Sequence, residues 1–176
     1  MILQYLSRKT NRDKTLADKF YKDLIEYINT LLRKKTKHKE DLGVLIEITS
    51  ILLVVIFSFL KLQKNKNIDN FSQELLNLFI KDLDYSFRKI GIGDMSIGKY
   101  VKSYVKKFYF RINKFEEIIK NFNQNEWNSF FNDHNIVLDL NLRTFFLTEL
   151  YAISKKIIVN GEIKDLNNFS LNNLIN

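Results

Sequence analysis

The chain has 176 residues, a formal net charge of +8, 45% hydrophobic residues, no proline and no cysteine. That length suits one domain with a real core rather than two, and the apolar content is well above that of a disordered chain. Without cysteine there can be no disulfide framework, thiol catalysis or cysteine metal site, and the basic balance suits an anionic partner: RNA, a ribosome, an acidic protein or an anionic lipid face. Lysine as filler in an AT-rich coding sequence would give the same charge.

With five glycines in all, little interrupts long helices, and the expected fold is all-α: a single-domain helical bundle. Residues 1–12, "MILQYLSRKTNR", lack the apolar core of a signal peptide. From Thr15 to Arg33, Leu16, Phe20, Leu24, Ile28 and Leu31 recur on one helix face, with Asp13 or Thr15 as the expected cap. The block "RKKTKHK" (Arg33 to Lys39) places cations at the helix C-terminus. "LGVLIEITSILLVVIFSFL" (Leu42 to Leu60) follows, apolar on all sides but interrupted by Glu47. Its length approaches the ~20 residues of a membrane span, yet an acidic side chain is costly in lipid, so a buried central hydrophobic helix is expected.

After a polar linker, Lys61 to Asn70, a helix carries Phe71, Leu75, Leu78, Phe79, Leu83 and Phe87 on one face. Asp84 and Arg88 stand four apart as a surface pair, and Gly91 occupies the place of a left-handed C-cap. A further helix is predicted from Ser96 to about Phe122, facing inward through Ile97, Val101, Val105, Phe108, Ile112, Phe115 and Ile119. A short helix around "QNEWNSFFN" and a longer one from Leu140 to about Lys156 complete the bundle. "KKIIVNGEIK" (Lys155 to Lys164) would form a small C-terminal hairpin at most. The domain is expected over residues 1–160, with 161–176 a weakly ordered tail.

Gly93 and Gly98-Lys99 give the spacing G-x-x-x-x-G-K of a phosphate-binding loop. That loop needs a buried strand before it and a Ser or Thr after the lysine, whereas here a helix precedes it and Tyr100 follows. Asp94 would also set a carboxylate among the phosphates. The segment reads instead as a helix–helix connection: Gly91 ends one helix, Asp94 or Ser96 caps the next, and Gly98 permits a close approach. His38 and His134 have no second ligand at helical spacing and read as solvated. No catalytic constellation, metal site or cofactor is expected, so an enzyme is the weakest class.

The longer run "LLNLFIKDLDYSFRKIGIGDMSIGKYVKSYVKKFYFRI" (Leu75 to Ile112) resembles the ubiquinol–cytochrome c chaperone family of mitochondria and alphaproteobacteria. An acidic element with a basic residue (Asp82, Asp84, Arg88) leads into a G-x-G-D turn (Gly91, Gly93, Asp94). The lysine-bearing helix (Gly98, Lys99, Lys102) then ends in Phe108, Tyr109 and Arg111. The apolar helix "IEITSILLVVIFSFLKL" falls where that family has its central hydrophobic helix, so the resemblance spans Gly43 to Phe115. Phe110 departs from it, standing where the family usually has glycine.

The resemblance implies a non-enzymatic assembly chaperone for the cytochrome bc complex, holding newly made cytochrome b or its assembly intermediate. Its partners would include a small helical protein and the ribosome. Its place would be peripheral: on the cytoplasmic side of an alphaproteobacterial inner membrane, or at the mitochondrial inner membrane and matrix. The binding surface is expected at Asp82, Asp84, Arg88, Asp94, Lys99, Lys102, Lys106 and Arg111, with Gly91, Gly93 and Gly98 as the structural turn.

Two alternatives come from the residues alone. Lys99, Lys102, Lys106, Lys107, Arg111 and Lys114, interleaved with Tyr100, Tyr104 and Tyr109, could track a phosphate backbone in a basic helical RNA- or ribosome-binding protein. A small integral membrane protein would use Leu42 to Leu60 as its span.

Overall fold

The computed structural model describes residues 2–35, 42–63, 66–120, 123–133, 140–159, 163, 166 and 169–175. They form α1 (Ile2–Lys35), α2 (Leu42–Leu62), α3 (Lys66–Lys89), α4 (Asp94–Lys120), α5 (Gln124–Asp133), α6 (Leu140–Val159) and α7 (Leu171–Ile175). Among the described residues there is no strand, and the all-α expectation holds.

The hydrophobic segment is the hub of the bundle. Every residue from Ile46 to Ile56 is buried, because α2 touches α1, α3, α4 and α6 and so has neighbours on all sides. A helix apolar all round needs such an envelope, whether of protein or of lipid, and here protein supplies it. By length and composition alone α2 could cross a membrane; its burial is that of a central helix. Thr49 satisfies its hydroxyl locally by donating to the Leu45 carbonyl at 2.8 Å.

Around this hub, α1 packs along α3, and α3 returns through a short turn into α4. Phe20, Leu24, Ile28 and Leu31 of α1 are buried as their spacing predicts, whereas Leu16 is only half-buried and Ala17 beside it takes the inward place. A ring cluster closes one part of the core: Phe20 stacks on Phe169 at 5.1 Å, and Phe71 meets both edge-on at 5.7 Å. A second cluster of Phe115, Trp127, Phe130 and Phe131 joins α4 to α5. Leu166, Leu171 and Leu174, in the segment expected as a tail, are buried on the same core.

Several boundaries differ from the sequence reading. α1 begins at Ile2, so Asp13 and Thr15 lie inside a helix and cap nothing; Asp13 is instead buried and accepts from the Asn70 amide at 3.4 Å. Apolar residues from α2 and α3 run into the supposed linker, so helix occupies Lys61–Leu62 and resumes at Lys66. Lys155 to Val159, expected in a small hairpin, instead continue α6 and bury Ile157, while residues 160–162 and 164 lie outside the described residues. His38 and His134 lie outside the described residues, as do residues 36–39 of the basic block.

Two substitutions test this packing. Val55 is 1% exposed, and Val55→Asp sets an unpaired charge in the centre, at a cost of about 3–5 kcal/mol, much of the ~5–15 kcal/mol a domain has. Urea unfolding should find the variant largely unfolded. Gly91 has φ of 87°, and Gly91→Val should lower stability by about 1 kcal/mol or more, whereas Lys99→Ala on the exposed face should change it little.

Candidate functional site

The α3–α4 turn is a Schellman closure. The Ile92 N–H donates to the Phe87 carbonyl at 3.1 Å and the Gly91 N–H to the Arg88 carbonyl at 3.0 Å. These bonds satisfy the last carbonyls of α3 and require the left-handed residue at position 91. α4 opens differently from expectation. The Gly93 carbonyl accepts from Ser96 and Ile97, so Gly93 is the N-cap and Asp94 the first helical residue. Asp94 sits there as a favourable charge at the helix N-terminus and pairs with Arg88. Arg88 also holds Asp84, Nε to Oδ2 at 2.7 Å, and thereby clasps both sides of the turn. Gly98 admits no close neighbour, since a Cβ added there would meet open space.

Further along, α4 is fixed to α2 by a charge cluster around a buried carboxylate. Glu47 is 8% exposed and Arg111 0%. Arg111 Nη1 lies 2.8 Å from Glu47 Oε2 and donates to Ser50 Oγ at 3.3 Å. Lys107 Nζ lies 2.7 Å from Glu47 Oε1, and the Tyr104 hydroxyl donates to the same oxygen at 2.9 Å. Lys107 also stands over the Tyr104 ring at 5.4 Å. Burial pushes the Glu47 carboxyl up, but Arg111 and Lys107 together outweigh it and hold the group below its ordinary value of 4.5. Burial, then the neighbouring Glu47 charge, raise the Tyr104 phenol, which stays a neutral donor.

With its inner face committed, α4 borders an open groove against α3. Ile80, Val101, Val105 and Tyr109 supply apolar lining, Lys102 and Lys106 stand on one side, and Asp84 and Gly98 complete it around a volume of about 390 Å³. Val101 and Val105 are therefore only half-buried, not core residues as their spacing suggests, and Tyr109 is 49% exposed.

The structure thus sorts the expected surface residues into groups. Asp84, Lys102 and Lys106 line the groove, with Arg88 and Asp94 clasping its end and Lys99 exposed nearby on α4. Asp82 turns elsewhere, accepting from the Tyr21 hydroxyl of α1 at 2.8 Å. Arg111 is wholly inside and presents nothing to a partner. Sequence reasoning missed Glu47, Tyr104 and Lys107 as one unit. The signal was there: a lone carboxylate in an apolar helix needs buried cations, and positions 104, 107 and 111 share the α4 face that carries Phe108 and Phe115.

Residues 43–126, just under half the chain, match the model of the family described as ubiquinol–cytochrome C chaperone. The match bears out the resemblance read over Gly43 to Phe115 and extends it into α5. The fold is similar to the crystal structure of the Cbp3 homolog from Brucella abortus, with a TM-score of 0.74 over 97% of this chain and 96% of that one, at 20% sequence identity. No curated protein matches the chain. The matched segment contains α2, α3, the turn and α4, hence both the charge cluster and the groove.

The cluster predicts a pH signature. Because the folded Glu47 value is lowered, its stabilisation is fully present above pH 4.5 and is lost as pH falls through the lower folded value. Chemical denaturation at stepped pH should show wild type losing stability below pH 4.5 more steeply than Glu47→Gln. Parallel curves would deny the carboxylate its paired, ionised state.

Proposed function

We propose that the chain is an assembly chaperone of the ubiquinol–cytochrome c reductase complex that holds newly made cytochrome b or its early assembly intermediate. The observation that carries this reading is the family match over residues 43–126, which covers both the α3–α4 groove and the buried charge pair beside it. A holding chaperone has no bond to make or break. It needs an accessible apolar surface with polar edges, and the α3–α4 groove offers Ile80, Val101 and Val105 between Lys102, Lys106 and Asp84. Such a groove suits a client helix before that helix finds its own partners. Work on a membrane-embedded client places the chain peripherally at the membrane that holds the complex. The likeness to the Cbp3 homolog supports the fold on which this reading rests.

The RNA-tracking alternative is weaker for a specific reason. Of its proposed basic and aromatic stripe, Lys107, Arg111 and Tyr104 are drawn to Glu47 inside the bundle. Lys99, Lys102, Lys106 and Lys114 remain outside with Tyr100 and Tyr109, a stripe that has lost its middle members.

Deleting the gene in its native host should lower the amount of assembled cytochrome bc complex seen on native gels, and wild-type protein should restore it. A folded variant with the groove altered, Ile80→Glu with Val105→Glu, should not restore it. Normal complex levels in the deletion strain would contradict the assignment.

A further inference from the structure

The outward face of α4, on the side away from Glu47, borders the groove through Lys102, Lys106 and Tyr109 and extends beyond it. Met95 at its start is 102% exposed, and Tyr109 and Phe110 near its far end are 49% and 56% exposed. Between them Lys99, Lys102 and Lys106 are all exposed. From Met95 to Phe115 α4 carries no Asp or Glu at all. The carboxylates nearest in sequence are engaged by other cations: Asp94 by Arg88, Glu116 by Lys61 and Glu117 by Lys114. The result is a strip roughly 22 Å long, at 1.5 Å of rise per residue, cationic in its middle and apolar at both ends.

We infer that this face binds an anionic lipid surface, with Lys99, Lys102 and Lys106 on the headgroups and Met95 and Phe110 entering the acyl boundary. This deepens the peripheral placement in the proposed function by naming the face and the lipid chemistry. Three lysines whose neighbouring carboxylate across the groove, Asp84, is already held by Arg88 are what an anionic leaflet attracts. The apolar ends distinguish lipid from nucleic acid. A phosphate backbone offers a fully exposed methionine nothing to bury against, whereas an acyl boundary does. Ile90, in the turn that precedes Met95, is also 55% exposed and adds to the apolar end. Tyr109 lies between the lysines and Phe110, at the level where amphipathic rings favour a membrane–water interface. Because Glu47 anchors the opposite side of α4 through Tyr104, Lys107 and Arg111, the strip is presented as a rigid edge.

The test is sedimentation of the purified protein with vesicles of phosphatidylcholine mixed with phosphatidylglycerol, compared with phosphatidylcholine alone. Wild type should bind the mixed vesicles, weakly or not at all the neutral ones, and less as salt rises. Lys99→Glu with Lys102→Glu and Lys106→Glu should weaken binding by at least about tenfold while circular dichroism shows an unchanged fold. Met95→Ser with Phe110→Ser should leave only binding that salt fully reverses. An uncharged groove variant, Ile80→Asn with Val105→Asn, should keep vesicle binding while failing to restore the complex, so failure here is distinguishable from failure of the client assignment. Equal binding to neutral vesicles, full binding by the triple lysine variant, or displacement from vesicles by a single-stranded RNA oligonucleotide would each overturn the lipid assignment.

Discussion

One carboxylate near the start of an apolar helix sets the terms for the rest of the molecule. Glu47 is buried on α2, and a bare buried carboxylate would cost more than a small domain can absorb. It persists because α4 brings Arg111, Lys107 and Tyr104 to it at 2.7–2.9 Å. The requirement is mutual, since Arg111 is wholly buried and Glu47 is the carboxylate opposite it. An apolar contact tolerates rotation and sliding; a charge pair in low dielectric does not. The pair therefore fixes the rotation of α4 about its own axis as well as its distance from α2.

The rotation decides what α4 shows. With Tyr104, Lys107, Phe108 and Arg111 turned inward, Val101 and Val105 fall at the border with α3 and Lys99, Lys102 and Lys106 face out. The Schellman turn and the Arg88 clasp then fix where α4 starts relative to α3. Groove and outward strip are two sides of one helix held at a single angle. The Phe115–Trp127–Phe131 cluster steadies its far end against α5. A surface that must bind and release a partner gains from such a scaffold, because a preformed surface is not reorganised at each encounter.

Much of this was legible in the sequence. The apolar period of α1, α3 and α4 and the all-round hydrophobicity of Leu42 to Leu60 apart from Glu47 give an all-α bundle around a central helix, and Gly91 marks its turn by the one conformation that favours it. The resemblance over Gly43 to Phe115 gave the family segment. Less legible was everything that depends on which helix faces which. Arg111 reads as one more cation of a basic stripe until α2 is placed beside it, and Asp82 reads with Asp84 until Tyr21 of α1 claims it. Val101 and Val105 keep a core spacing but fall where two helices diverge. The α1 start was missed for a different reason: a polar segment can be helix without an apolar stripe to announce it.

The most direct measurement is the stability of Glu47→Leu with and without Arg111→Met, by urea denaturation. Glu47→Leu alone strands Arg111 in the core and should cost about 3–5 kcal/mol. Adding Arg111→Met removes the stranded charge and should recover a substantial part of that loss. Further destabilisation by the second substitution, or a near-neutral first one, would show that the buried pair does not hold α4 in place.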